Sequence, residues 1–522
     1  MALHEVTSEA IAQSYDAIPY DSRPFPQSHP ARSAALGKLF GLNPPNIETA
    51  RVLELGCAAA GNLIPLAASY PEATFVGIDL SPVQIARGKE RVGELGLTNI
   101  NLLNQSILDV SKGYGVFDYV ICHGVYSWVP TAVQDAIFRI ARENLSETGI
   151  AYVSYNVFPG WRLRGVLRDA MLFHCDGMKD GTERIAAARS FLNELAQITD
   201  EAGAYGQMLR QEAQALAHHE DYYIQHEYLE HTNTPCYVHE FIASAQKAGL
   251  AFLTEATLSI TIAETFGLEK GKRLRELSGN RLDRMEQYID FLTGRTFRQS
   301  LLVRETQAGK INRTLDPQRL DGLHLQTQLV LTDTNEKGFT LRDPSGRTLQ
   351  TQSPFVRDCL LKLSESFPQS MTVGTLAEAT ADGRARTADE NYALNDALFK
   401  MVLTGMIEVT SVPLAAAAVS TRLPAATLIA RTDAARGKAW TTNQRHETVP
   451  LSVVQQAVLP MLDGKLDTDA LAAALRDKAL EGAIVFQRDG QPLTERGDID
   501  AASEEHLRHV LAALTKSALN AA

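Results

Sequence analysis

The chain has 522 residues, more than one hydrophobic core normally serves, so two to four domains are expected. Its composition, with 45% hydrophobic and 21% charged residues, is that of a globular protein. The net charge of -12 argues against nucleic acid as a partner, because binding to phosphates needs a cationic surface. The scattered cysteines and the lack of a long apolar stretch favour a cytoplasmic protein without stable membrane association.

Residues 1–45 are predicted to form an N-terminal arm, a helical segment that several prolines interrupt. Two Tyr-Asp pairs, which begin at Tyr15 and Tyr20, precede the stretch of prolines. We expect this arm to close as a lid over the domain that follows it.

Residues 46–160 alternate short apolar runs with helix-like segments. The runs are rich in β-branched and aromatic residues, and about one helix of chain separates each from the next, which predicts βαβ units and a parallel sheet. The fold class is therefore a Rossmann-like, doubly wound α/β domain. The predicted strands are Arg51–Leu55, Thr74–Asp79, Ile100–Leu103, Phe117–Cys122 and Gly149–Tyr155.

The loop after the first strand is the strongest local signal for a ligand site. The strand ends in Glu54 and Gly56, and a run of very small residues then opens a helix. Small side chains let the backbone approach a ligand, and a helix N-terminus offers free amides. A carboxylate two residues before the glycine suits a ligand with a positive amino group better than a pyrophosphate. Asp79, which ends the second strand, can accept hydrogen bonds from ribose hydroxyls.

These residues resemble the class I S-adenosylmethionine-dependent methyltransferases. The resemblance implies S-adenosylmethionine as the cofactor and methyl transfer as the reaction. Two features depart from the family: Ala58 and Ala60 replace the usual loop glycines, and Ser106 stands where an adenine-contacting acid is common. The cofactor-binding residues that the resemblance implies are Glu54, Gly56, Cys57, Ala58, Gly61, Asn62, Asp79, Leu80, Ser106 and Ile107.

A second resemblance is narrower and rests on a few unusual strings. They are similar to those of bacterial methyltransferases with a methyltransferase regulatory domain, in particular the protein-lysine methyltransferases that modify outer membrane protein B. The resemblance implies lysine N-methylation of a protein substrate, which could be an outer membrane protein. The strings are Ser14–Pro30, Ile121–Pro130, Tyr155–Trp161, His226–Glu230 and Asn233–Tyr237.

The acceptor side is expected just beyond the fourth strand, where a methyl acceptor must meet the cofactor. Aromatic faces can hold a lysine ammonium by cation–π attraction. The alternative for Tyr126 and Trp128 is simple packing under the arm. The candidates are Tyr126, Trp128, His123, Tyr15 and Tyr20.

The remaining chain is predicted to contain three further folded regions. Residues 161–310 should form a helical regulatory domain that returns to the sheet. Residues 311–412 and 438–522 should form two winged-helix-like modules, because Ser353–Leu363 and Ser452–Leu462 can be aligned. Residues 413–437, rich in alanine and threonine, should link them.

Other interpretations remain open from the sequence alone. The loop also nearly matches a dinucleotide-binding pattern. A small-molecule methyltransferase or a non-catalytic cofactor-binding regulator would carry the same loop. The His- and Cys-rich stretch from His218 to His239 matches no metal-ligand spacing, so no metal is predicted. The sequence fixes neither the acceptor, the number of methyl groups transferred, nor the oligomeric state.

Overall fold

The computed structural model describes residues 22–230, 232–314, 316–380, 387–413, 422–488 and 490–521. Tyr15 and Tyr20, with the first 21 residues of the predicted arm, lie outside these ranges. Among the described residues, no helix combines the length and apolar character that crossing a bilayer requires.

A seven-stranded sheet forms the centre of the N-terminal half, in the order β3-β2-β1-β4-β5-β7-β6. The first five strands run parallel, β7 runs antiparallel to both of its neighbours, and β6 therefore runs in the same direction as the first five. Because the strand order reverses beside β1, the carboxyl ends of β1 and β4 border the crevice where such sheets bind ligands. The strands are β1 Arg51–Leu55, β2 Thr74–Asp79, β3 Ile100–Asn104, β4 Phe117–Cys122, β5 Leu145–Asn156, β6 Leu250–Glu255 and β7 Phe297–Arg304.

Helices cover both faces of this sheet, which explains why its strands are nearly continuous apolar runs. Alternate residues of β1 face opposite sides: Val52 packs in one buried cluster and Leu53 in the other. The helices of the first cluster are α1 Pro30–Leu39, α2 Leu63–Ser69 and α3 Pro82–Glu94. Those of the second are α4 Thr131–Asn144 and, further along the chain, α9 Val238–Lys247.

A helical region follows β5 and has a small apolar core of its own. A five-residue π-helical turn, Gln225–Leu229, ends it. The chain then returns to the sheet through β6 and β7, as the sequence predicts. The helices are α5 Gly160–His174, α6 Gly181–Ile198, α7 Ala204–Ala217 and α8 Asp221–Ile224, with α10 Leu268–Ser278 and α11 Leu282–Thr293 before β7.

The next region packs against the sheet's first apolar cluster rather than forming a separate core. It contains a three-stranded antiparallel sheet and a two-stranded one, in which β8 pairs with β12. Its elements are β8 His324–Gln326, β9 Val330–Asn335, β10 Gly338–Arg342, β11 Thr348–Thr351, α12 Pro354–Glu365, α13 Val373–Ala379, α14 Ala388–Leu403 and β12 Glu408–Thr410.

The last region has its own apolar core and a β-hairpin wing. Its first helix, α15 Leu428–Ala435, lies inside the stretch predicted to be a linker, so that stretch is folded from there onward. Thr427 caps this helix by accepting a hydrogen bond from the Ala430 amide. The other elements are β13 Trp440–Thr442, β14 Thr448–Pro450, α16 Val453–Val458, α17 Thr468–Leu480, β15 Gln487–Arg488, β16 Gln491–Pro492 and α18 Arg496–Lys516.

Candidate active site

One cavity opens at the carboxyl ends of β1, β2 and β4. Nine of the ten residues predicted to bind the cofactor line it, and Gly61 does not. The lining residues that the sequence interpretation had not assigned to the site are Ser22, Phe25, Ser81, Gln84, Gln105, Gly124, Val125, Val129, Pro130, Val133, His226, Glu227 and Phe297.

The loop after β1 takes a left-handed backbone at three positions. Gly56 has φ of 73°, and a Cβ added there would lie 2.4 Å from a methyl group of Val125, so only glycine fits. Ala58 and Ala60 have φ of 48° and 59°, where the family's usual glycine would be unstrained. Each alanine costs about 1 kcal/mol in that conformation, which a large domain tolerates.

Gly61 contacts the N-terminal arm and does not line the cavity. A Cβ added to Gly61 would lie 2.0 Å from the backbone oxygen of Ser22, and its amide donates to Ser22 Oγ at 2.8 Å. The Phe25 ring then stacks on His123 with centroids 3.6 Å apart. The described end of the arm thus forms part of the cavity wall, and its motion as a lid stays a prediction.

Glu54 has the chemistry that a bound amino group needs. Its side chain is buried, and Asn62 Nδ2 donates to its Oε1 at 2.8 Å. Within the described residues its Oε2 is buried without a hydrogen-bond partner. Burial raises the pKa of Glu54 to about 8, and the Asn62 hydrogen bond opposes that shift. The positive amino group of S-adenosylmethionine would satisfy this oxygen, so the residues present fit the cofactor.

Asp79 is held in one orientation at the end of β2. Its two carboxylate oxygens accept hydrogen bonds from the amides of Ala58 at 2.8 Å and Ser81 at 2.9 Å. The same carboxylate therefore fixes the loop after β1 and presents itself to the cavity as a hydrogen-bond acceptor. This placement fits the predicted ribose contact.

Ser106 begins a short turn beside the third strand. Its hydroxyl accepts a hydrogen bond from the Leu108 amide at 3.2 Å. The hydroxyl is thus used locally as a cap, and an adenine contact from the backbone fits better than one from this side chain.

The candidates for the acceptor side separate into two groups. Tyr126 does not line the cavity: its ring is buried against Phe138, Tyr155 and Phe241, so packing accounts for it. Trp128 lines the cavity, and its ring makes a T-shaped pair with that of Trp161, with the ring centroids 6.2 Å apart.

His123 also lines the cavity, where Phe25 covers one face of its ring. Burial lowers the pKa of His123 to about 3, so its ring is neutral. Its Nδ1 lies 2.8 Å from the Tyr152 hydroxyl. A neutral, covered ring of this kind shapes the wall and is a poor proton acceptor at neutral pH.

The helical region supplies two lining residues that the sequence analysis does not assign to the site. His226 and Glu227 reach the cavity from the π-helical turn, and His226 Nδ1 lies 3.0 Å from Glu230 Oε1. Burial raises the pKa of Glu227 to about 7, while the charges of Arg164 and His226 oppose that shift. In the described part of the chain, the Glu227 carboxylate makes no hydrogen bond. The one sequence signal for these two residues is the string His226–Glu230, which resembles a string of bacterial methyltransferases with a regulatory domain.

Three family models match successive parts of the chain. A methyltransferase domain matches residues 53–151, a predicted methyltransferase regulatory domain matches 220–304, and the PKMT C-terminal winged helix domain matches 423–519. The last match begins within the stretch predicted to be a linker, as does α15.

Two similar proteins cover nearly the whole chain, and a third covers less than half of it. Uncharacterized protein RP789 of Rickettsia prowazekii is 34% identical over 499 residues, which are 93% of this chain and 89% of that protein. Uncharacterized protein RP028 of the same organism is 40% identical over 45% of this chain and 94% of its own length. The structure of PKMT2 from Rickettsia typhi in complex with AdoHcy is 28% identical, with a TM-score of 0.87 over 96% of this chain and 100% of that one.

The fold and the site define a class I S-adenosylmethionine-dependent methyltransferase. The chain belongs to the PKMT family, in which a methyltransferase domain is joined to a methyltransferase regulatory domain and a C-terminal winged helix domain. The predicted fold class, cofactor and enzyme class are confirmed. The roles of individual site residues stay predictions.

Proposed function

We propose that this enzyme transfers methyl groups to lysine side chains of a protein. The observation that carries the proposal is Glu227, a half-buried carboxylate without a hydrogen bond among the described residues, in the same cavity as the cofactor loop. The similarity to PKMT2, a protein-lysine methyltransferase, also supports the proposal, and it extends over nearly the full chain.

The charge of the cavity lining suits a cationic acceptor. Three carboxylates line it, Glu54, Asp79 and Glu227, and no lysine or arginine does among the residues that the structure describes. The resemblance assigns Glu54 and Asp79 to the cofactor. Glu227 is then the carboxylate left for the ammonium of the acceptor, and the Trp128 ring can add cation–π attraction.

The lysine must react as a neutral amine, although its ammonium has a pKa of about 10.4 in water. Desolvation in the cavity disfavours the cation, and Glu227, with a pKa raised to about 7, can accept the proton. S-adenosylmethionine supplies a methyl group on an activated sulfonium. The amine nitrogen forms the new bond to carbon, the carbon–sulfur bond breaks, and sulfur keeps the electron pair.

Within the class of protein substrates, we propose an outer membrane protein as the acceptor. The strings at residues 121–130 and 226–237 support this proposal, because they resemble the corresponding strings of enzymes that modify such a protein.

The test is incubation of the full chain with methyl-labelled S-adenosylmethionine and a cell-envelope extract of a bacterial source, followed by protease digestion and mass spectrometry of the peptides. We expect methyllysine in outer membrane proteins. Glu227→Gln should reduce its formation, and Glu220→Gln, at an exposed acid shortly before it, should not. Label on carboxyl groups or on a metabolite, with none on lysine, would refute the proposal.

A further inference from the structure

Asn62, at the start of α2, holds Glu54 and is itself held by three other residues, from two other parts of the chain. Its Nδ2 lies 2.8 Å from Glu54 Oε1 and 3.1 Å from Ser28 Oγ. Its Oδ1 lies 2.9 Å from the Phe25 amide nitrogen and 2.7 Å from His446 Nε2. The Asn62 side chain is buried, with 2% of its surface exposed, so these contacts fix it.

The hydrogen-bond donors around Asn62 decide the orientation of its amide. The Phe25 amide can only donate, so Oδ1 must face it and Nδ2 must face Glu54. His446 therefore donates to Oδ1 from a protonated Nε2. Burial lowers the pKa of His446 well below its usual range, and the charges of His29 and Arg32 add to that, so the donor is the neutral ring.

His446 lies in the turn between β13 and β14, in the wing of the C-terminal domain, 384 residues from Asn62 along the chain. Its φ is 64°, a left-handed conformation that favours glycine or asparagine over a larger residue. A histidine kept in that conformation, with a buried ring edge-on to His29, indicates that the side chain itself is required.

Ion pairs hold the C-terminal domain against the methyltransferase domain independently of Asn62. Arg91 of α3 pairs with Asp433 of α15 at 2.7 Å, and both side chains are buried. Arg436 pairs with Glu90 of α3 at 2.9 Å on the surface. The docking of the C-terminal domain therefore has contacts other than the one that His446 makes.

We propose that His446 is a positioning residue of the cofactor site: by holding Asn62, it sets the Glu54 carboxylate that receives the amino group of the cofactor. The C-terminal domain thus completes the cofactor loop of the N-terminal domain. The proposal concerns the cofactor alone and does not depend on which acceptor is methylated.

Calorimetry with two ligands tests this on the full chain. S-adenosylhomocysteine carries the amino-acid part that Glu54 would bind, and 5′-methylthioadenosine lacks it. His446→Ala should weaken S-adenosylhomocysteine about tenfold, as expected for a hydrogen bond that orients a charged group. Binding of 5′-methylthioadenosine should stay within about twofold, the usual limit of independence between sites.

Three further variants make the result specific. His446→Gln, which keeps an N–H donor at similar reach, should restore much of the affinity. Adding His446→Ala to Asn62→Ala should cause no further loss, because both act on Glu54 along one path. Arg436→Ala, which weakens only the docking of the domains, should leave both affinities unchanged.

Two outcomes overturn the proposal. One is an equal loss for both ligands, which would mean that the wing only packs. The other is unchanged affinity for S-adenosylhomocysteine. If the alanine variant melts below the assay temperature, His446→Phe, which keeps the ring volume and lacks the donor, replaces it.

Discussion

Replacing Glu54 with glutamine should stabilise the ligand-free enzyme and weaken its hold on the cofactor. Burial raises the pKa of Glu54 from an ordinary 4.5 to about 8, so the folded protein binds a proton that the unfolded chain releases. With the folded-state pKa raised, the stability contribution is fully present below about pH 4.5 and is lost as pH rises toward 8. At about 1.4 kcal/mol per pH unit, the loss at pH 7 is about 3 kcal/mol.

Glutamine carries no charge and so removes this loss of stability, but a new unfavourable contribution offsets part of the gain. The amide keeps the acceptor that meets Asn62 at Oε1, while its NH₂ group replaces Oε2, which has no partner among the described residues. An unsatisfied buried donor costs about 1–3 kcal/mol, so we expect a net gain of about 0–2 kcal/mol at pH 7. For a domain of about 150–250 residues this raises the melting temperature by up to about 8 °C.

Calorimetric melting of the ligand-free protein at pH 5 and pH 7.5 measures the effect. Wild type should lose stability between these two pH values more steeply than Glu54→Gln. Affinity for S-adenosylhomocysteine should fall at least about tenfold in the variant, because a charge-assisted hydrogen bond is lost. Glu72→Gln, at an exposed acid, is the matched control. A Glu54→Gln protein that melts at or below wild type at pH 7.5, with the same pH dependence, would refute the reasoning.

Three other variants address the rest of the site. Asp79→Ala should weaken S-adenosylhomocysteine about tenfold or more in calorimetry, since it removes a charged acceptor of the ribose; unchanged affinity in a folded variant would contradict the assignment. Trp128→Ala should slow methyl transfer with cofactor affinity little changed, whereas a residue that only packs would instead lose about 3–5 kcal/mol of stability. Gly61→Ala should displace Ser22 and weaken cofactor binding, since the added Cβ would lie 2.0 Å from that backbone oxygen. Gly93→Ala on α3, where the new Cβ meets nothing within 4 Å, should bind normally; equal binding by both glycine variants would refute the role of the arm.

The strands and the cofactor loop were predictable because local patterns determine them. Both faces of β1 are buried from Val52 onward, so those residues are apolar except for the site residue Glu54, and Asp79 is the last residue of β2. The similarity between the segments at Ser353 and Ser452 has a local cause too, since each serine caps a helix by accepting from the third amide beyond it.

The features of the site that could not be predicted from the sequence depend on contacts between distant segments. Tyr126 and Trp128 are two residues apart in one short turn, and packing against α4, β5 and α9 encloses the Tyr126 ring while Trp128 lines the cavity. Glu227 reaches the cavity because the helical region ends in a π-helical turn, which no local pattern marks. The pairing of His446 with Asn62 joins residues 384 positions apart.

The central claim is that one cavity holds the cofactor beside Glu54 and Asp79 and an alkylamine beside Glu227. Calorimetry with a bisubstrate ligand tests it most directly: S-adenosylhomocysteine joined at its sulfur position, through a short linker, to an alkylamine. Wild type should bind this ligand at least about tenfold more tightly than S-adenosylhomocysteine, as a charge-assisted hydrogen bond would provide. Glu227→Gln should lose that gain and Glu220→Gln should keep it. A bisubstrate ligand that binds no more tightly than S-adenosylhomocysteine, or equally well with and without Glu227, would contradict the account.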